Sequence, residues 1–249
     1  MQSLFGTSGI RGHGDNFFTN QFSFDLGVTF DLFLKEHKQV GSVAIGMDPR
    51  GSSPRIKKAI TAGLNSVKRE VDDHGTTPSP AMCHILKDIS YAGSLIVTGS
   101  HISADLNGVK FFFQKEEILK THEEQISQIY SQNLGRKQFN LNFFEPHFVN
   151  KSSELYAELL IRLAGNSLPK LKVVVDCGNG TQSDIMPQVL SRLGLTVVEQ
   201  NSSIQAEFIA RDTEVDGAVS ALQTGVLTHQ ADLGIAYDAD GDRVVFIDN

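Results

Sequence analysis

The sequence predicts a layered α/β fold: two similar three-layer α/β/α domains with mixed, mostly parallel sheets. Two observations carry that expectation. Short runs rich in Val, Ile and Leu alternate with helical patterns through both halves of the chain, as parallel sheets covered by helices on both faces require. Both halves also follow one plan, and in each a polar loop dense in reactive side chains comes just after the third strand. Open α/β sheets place their ligands at the carboxyl ends of such strands.

The elements read in order. After a Gly-rich opening, QFSFDLGVTFDLFLKEHK repeats Leu26, Phe30, Phe33 and Leu34 at three- and four-residue intervals, a helix. SVAIGM is a strand, and Pro54 opens a helix that runs to about Val67. TTPSPAMCHILK is a further helix, with Thr77 or Ser79 as cap and Pro80 in its first turn. SLIV and VKFFF are strands around the loop TGSHISADLNG, and EEILKTHEEQISQIYSQ is an amphipathic helix with its acids at the start. Residues 131–151 lose all helical period, so the junction between a domain at 1–140 and a domain at 141–249 is expected there. The second half gives the helix SELYAELLIRLAG, the strand LKVVVDC, the helix DIMPQVLSRLG and the strand LTVVEQ. The helix VDGAVSALQTGVLTHQ, the strand DLGIAYD, the loop DADGDR and the strand VVFID complete it.

Composition narrows the function. With 22 Lys and Arg against 29 Asp and Glu, a net charge of −7, the chain has no basic field for nucleic acid or an acidic membrane. It has no apolar run of spanning length, and its first residues have no signal-peptide core. Cys83 and Cys177 are too few for a disulfide framework and read as reduced thiols. A cytoplasmic location is expected.

Three segments carry chemistry. In DADGDR, Asp238, Asp240 and Asp242 alternate, so their side chains can converge on one point. Three carboxylates so close repel one another unless a hard cation such as Mg²⁺, Mn²⁺ or Ca²⁺ lies between them. An EF-hand is excluded, because Arg243 and Asn249 stand where its Gly and Glu belong. The nucleophilic-aspartate pattern DxDGT fails at Asp242, which replaces the Thr. In VVVDCGNGTQS, Gly178, Gly180 and Ser183 approximate a dinucleotide turn, with Glu199 about twenty residues on. A plain strand-to-helix turn explains the same glycines. In the third segment, Ser100 beside His101 suggests a hydrolase, yet GxSxG and a triad acid at recognisable spacing are missing.

Taken together and in order, FGTSGIRG (residues 5–12), the Ser-His loop with NGVKFF, KVVVDCGNG, FIARDTEVD and ADLGIAYD-ADGDR resemble the α-D-phosphohexomutases over essentially the whole chain. That family includes phosphomannomutase/phosphoglucomutase and phosphoglucosamine mutase. The resemblance implies that Ser100 is a phosphoserine and that Asp238, Asp240 and Asp242 hold Mg²⁺ against its phosphate, Ser100 completing the metal set. It implies that Arg243 binds the same phosphate and that Arg11 and Lys110 line the first-domain side of the pocket. His101 and Lys110 are both candidates for the serine proton. The implied reaction interconverts hexose 1-phosphate and 6-phosphate, of mannose or glucose type, through a bisphosphorylated sugar.

The resemblance further implies four domains, of which these residues match the first two, with domains III and IV absent. The expected partners are then a phosphorylated hexose and the carboxyl-terminal mutase domains, in cis or in trans, and the fragment alone is expected to be inactive or weakly active. Phosphoglucosamine mutase is the alternative within the family, and a non-catalytic metal- and phosphosugar-binding module is the alternative outside catalysis. The family's loop reads T-A-S-H-N-P, whereas here it is Thr98-Gly99-Ser100-His101-Ile102-Ser103. Gly for Ala and the loss of Pro predict a looser loop.

Overall fold

The computed structural model describes residues 4–6, 8–145, 147–149, 151–165, 168–205, 208, 211 and 217–248. The first sheet runs in the order β1-β5-β4-β2-β3-β7, with β6 also on β5. Its strands are β1 (Ile10–His13), β2 (Ser42–Met47), β3 (Val71–Thr76), β4 (Tyr91–Val97), β5 (Leu106–Phe113), β6 (Glu116–Glu117) and β7 (His147–Phe148). β2, β3, β4 and β7 are parallel, while β5 is antiparallel to β4 and β1 antiparallel to β5. On one face, Val43, Ile45, Leu95, Val97, Phe111 and Phe113 pack against α1 (Asn20–Glu36), α2 (Ser53–Ser66) and α4 (Lys120–Asn133). On the other, Ala44, Ile96 and Phe112 meet α3 (Ser79–His84). Adjacent residues of each strand thus enter opposite cores, as the two-residue period demands.

The second sheet has the order β11-β10-β8-β9, with β8 (Lys172–Asp176), β9 (Thr196–Gln200), β10 (Leu233–Tyr237) and β11 (Val244–Asp248). β8, β9 and β10 are parallel and β11 is antiparallel. Val173, Val175, Ile235 and Tyr237 face α5 (Ser152–Ala164) and α6 (Met186–Arg192), and Val174 and Ala236 face α7 (Ser220–His229). Two α/β domains with mixed, mostly parallel sheets are therefore present, as expected.

Several local expectations change. β3, VDDHGT, carries no apolar alternation and is invisible in the sequence, yet it pairs with β2. The acids Glu116 and Glu117 form β6 against Phe112 and Phe113, so the following helix starts only at Lys120. Within the segment without period, His147 and Phe148 add a strand to the first sheet beside Asp72 and Asp73. Of the FIARDTEVD segment, only Phe208 and Arg211 lie among the described residues, and Val215 and Asp216 of the predicted seventh helix lie outside them.

Both cysteines are free thiols. Burial pushes the Cys177 thiol up to about 12, so it stays protonated and inert. Among the described residues, no helix is long and apolar enough to cross a membrane.

Candidate functional site

The two polar loops meet. Each follows the parallel strand that pairs with the next, antiparallel one, β4 before β5 and β10 before β11, so both lie at carboxyl strand ends and face each other across the domain seam. Ser100, only 2% exposed, donates from Oγ to Asp238 Oδ2 at 2.8 Å. His101 Nδ1 lies 3.4 Å from the same hydroxyl. Ser79, at the start of α3, donates from its backbone N to the Asp240 carbonyl at 2.9 Å and from Oγ to Asp240 Oδ2 at 2.5 Å.

Lys110 reaches across the same seam. It shares the α3-facing side of β5 with Phe112, and its Nζ donates to Asp240 Oδ2 at 2.8 Å and Asp242 Oδ2 at 2.5 Å. Burial works against the ammonium charge, but the two carboxylates outweigh it and hold Lys110 above the usual lysine range. Asp240 is the counterpart. Burial favours its protonated form, yet Lys110, Ser79 and Arg11 outweigh burial and hold it below the usual carboxylate range. Asp238 shifts the other way: burial, then repulsion from Asp240 and Asp242, push it up to about 8, against the bond from Ser100.

Arg11 lies opposite Gly108 in the β1–β5 ladder, donating from Nε to the Ser8 carbonyl at 3.0 Å and from its guanidinium to the Thr98 carbonyl. Burial lowers its pKa, and the nearby Asp240 offsets this only in part. Arg243 donates its backbone N to Asp238 Oδ1 at 3.2 Å, closing the acidic loop on itself. With Asp242, Pro80, Tyr156 and Val244 it borders a cavity of about 290 Å³. A larger cavity of about 820 Å³ lies away from these groups, among Asp73, Phe148, Glu154 and Asp184.

The acid cluster suits a hard cation. Asp238, Asp240 and Asp242 each offer an oxygen within 4.8 Å of the others. Asp240 Oδ1 is buried and accepts no hydrogen bond. A buried carboxylate oxygen left without a donor is costly unless a cation meets it.

Sequence reasoning missed two supports. Asp48 and Arg50, just past β2, are almost fully buried beneath the Ser100 loop and pair with each other. Arg211 pairs with Asp176 at 2.8 Å and donates to the Tyr237 carbonyl at 2.7 Å, beneath the acidic loop. Their signal was a buriable Asp at the end of a central strand, which is unremarkable in sequence alone. The CGNG turn is the plain strand-to-helix turn that the sequence allowed. A Cβ on Gly180 would sit 2.7 Å from the Ala239 carbonyl, and Thr181 N and Gln182 Nε2 donate to the carbonyls of Ala239 and Gly241, both at 3.0 Å. Its glycines let backbone approach backbone beneath DADGDR, which accounts for them without a dinucleotide.

Tandem α/β/α domains of one topology, joined loop to loop, define the class of this protein. Family models for phosphoglucomutase/phosphomannomutase alpha/beta/alpha domain I and domain II match residues 2–138 and 148–249, and the chain belongs to that family. It is 33% identical over 252 residues to the phosphoglucosamine mutase of Caldicellulosiruptor saccharolyticus and 34% identical over 263 residues to that of Shigella dysenteriae serotype 1. Each match covers 100% of this chain and 56% of the relative, so the chain spans about half the length of the curated relatives it matches. Among solved structures, a phosphoglucomutase/phosphomannomutase family protein from Burkholderia thailandensis superposes with TM-score 0.78 at 23% identity, covering 100% of this chain and 55% of that one. The parafusin phosphoglucomutase of Paramecium gives 0.73 at 17% identity, covering 98% and 52%. These two likenesses speak for the fold.

Proposed function

We propose that the chain is the phosphoserine- and metal-bearing half of a phosphohexomutase that interconverts hexose 1-phosphate and 6-phosphate. One observation carries the reading: a buried serine hydroxyl on one domain sits 2.8 Å from a carboxylate of a three-acid cluster on the other. Phosphoryl transfer needs little more from a protein than alignment and neutralised oxygens, and that seam supplies both. The sugar favoured is a hexosamine, because the curated relatives that match the whole chain are phosphoglucosamine mutases.

The cycle uses the chain's own groups as follows. The phosphoserine P–Oγ bond breaks as the free sugar hydroxyl bonds to phosphorus, giving a bisphosphorylated hexose and the Ser100 hydroxyl. After the sugar turns over, Ser100 Oγ bonds to the other phosphorus and the sugar oxygen leaves. His101 Nδ1, 3.4 Å from Oγ, is assigned the serine proton. Lys110, held charged by its carboxylates, is assigned to phosphate charge rather than to proton acceptance. Arg11 and Arg243 flank the same phosphate. Asp238, Asp240 and Asp242 would hold Mg²⁺, which when bound neutralises developing charge on phosphate oxygens. Turnover is proposed to need the part of the relatives that this chain does not span, in cis or in trans, since remote binding energy orients the sugar.

Peptide mass spectrometry after incubation with Mg²⁺ and either glucose 1,6-bisphosphate or glucosamine 1,6-bisphosphate tests this. One phosphate on Ser100, lost in Ser100→Ala and faster from the amino sugar, is expected. A folded protein that takes no phosphate would leave only a binding module.

A further inference from the structure

We propose that Arg50 is a positioning residue that locks the turn bearing Ser100, and that residue 99 is glycine because the Arg50 guanidinium fills the space of its Cβ. The functional part of this proposal rests on Ser100 being the phosphate carrier. Its structural part stands alone.

Asp48 and Arg50 stand just past the end of β2, next to the end of β4 where the Ser100 turn begins. Asp48 Oδ2 accepts from Thr98 Oγ1 at 2.8 Å and Gly99 N at 3.2 Å, and Oδ1 accepts from Ser53 Oγ at 2.8 Å. Arg50 neutralises that carboxylate and sends its other terminal nitrogen to the Ser100 carbonyl at 3.0 Å and the Ile102 carbonyl at 2.6 Å. One planar fork thus joins the end of β2 to both sides of His101. The ring of Phe208, from the second domain, lies 4.7 Å from the guanidinium carbon and seals it from water.

The turn needs such a hold. Ser100 has φ of 54°, a left-handed conformation that a residue with a Cβ keeps only when its surroundings impose it. Lysine would not serve equally, because its single ammonium has no fixed fork to span two carbonyls. Gly99 is not among the residues with positive φ, so the backbone itself does not call for glycine there. What excludes a side chain is Arg50: a Cβ at residue 99 would lie 2.5 Å from its Cζ and 2.7 Å from Nη2. Absence of bulk at Gly99 is thus what admits the guanidinium that holds the turn. With the carbonyls held, Ser100 Oγ is aimed at Asp238, and a misaimed oxygen slows transfer without weakening donor binding.

A double-mutant cycle on the whole chain tests the pair, read by amide hydrogen exchange over residues 98–103. Arg50→Lys keeps a charge beside Asp48 but removes the fork, and should cost on the order of tenfold to a hundredfold in protection, the scale of lost charge-assisted hydrogen bonds. Gly99→Ala should cost a similar factor by displacing Arg50. Added to Arg50→Lys, it should cost almost nothing more, because the obstructing group has gone. Independent, additive losses, or a Gly99→Ala protein with wild-type protection, would overturn the proposal; the second criterion holds even if Arg50→Lys fails to fold. In the phosphate-incorporation assay, both single variants should lower the maximal rate with the half-saturating bisphosphate concentration unchanged. A wild-type chain that takes no phosphate would refute the carrier reading, while the exchange cycle still decides the clamp.

Discussion

The two domains are copies that have solved one problem at different ranges. Their sheets share the order β5-β4-β2-β3 and β11-β10-β8-β9, with the first strand of each antiparallel and the rest parallel. In each, a buried Asp ends the central strand, Asp48 past β2 and Asp176 on β8, and pairs with a buried arginine. In the first domain the arginine stands two residues on and holds the serine turn. In the second it is Arg211, later in the chain than β9, and it holds the Tyr237 carbonyl just before the acidic loop. The domains also differ at one edge. β1 covers β5, whereas among the described residues no strand pairs with the outer side of β11, where Phe246 is 61% exposed. Equal topology fixes where a reactive loop emerges; the anchoring groups decide what it can present.

The largest break in this comparison should come at the strut between the copies. Lys110→Met leaves Asp240 buried without its cation, which should destabilise the chain by about 3–5 kcal/mol, measured by urea unfolding. Added Mg²⁺ should restore more of that loss than it adds to the wild type.

A smaller effect distinguishes the two close-approach glycines. Gly99 yields space to a side chain, but Gly180 yields it to the Ala239 backbone. Gly180→Ala should therefore cost about 1–3 kcal/mol and weaken Mg²⁺ binding in calorimetry, and no change of a neighbouring side chain should relieve it.

The smallest effect concerns the contact between β3 and the start of α5. His74 is buried, with Nδ1 accepting from Ser152 N at 3.1 Å and Nε2 3.3 Å from the Tyr91 hydroxyl. Burial lowers its pKa; Asp72 and Asp73 pull it up, and Lys151 and Lys57 push it down. The unfolded imidazole takes a proton near pH 6.5, the folded one only at lower pH. Stability is therefore complete above about pH 6.5 and falls as pH drops through the folded value. Urea midpoints between pH 7.5 and 5 should fall more steeply for the wild type than for His74→Gln.

Much of the fold is legible because apolar periodicity reports which faces are covered. Phe111 and Phe113 against Phe112 show this within one strand, each set entering its own core. β3 fails that test for a physical reason. Its polar residues find partners from elsewhere: Lys57 on Asp73 at 2.6 Å, His147 on Asp72 at 2.6 Å and Ser152 on His74. A strand whose burial is balanced by distant hydrogen bonds leaves no pattern in its own residues.

The candidate site divides the same way. Sequence alone determined that Ser100 and the three aspartates occupy equivalent slots, because strand alternation and loop position are local and repeat. It offered the three acids at alternate positions, but they converge through a turn rather than extended alternation: Gly241, at φ 67°, donates its N to the Asp238 carbonyl at 3.2 Å. Tertiary structure decided that the slots face each other, that Lys110 rather than solvent answers Asp240, and that Arg50 and Arg211 lie beneath the two loops. Those are buried charges, and a charge can be buried only where a partner distant in sequence meets it.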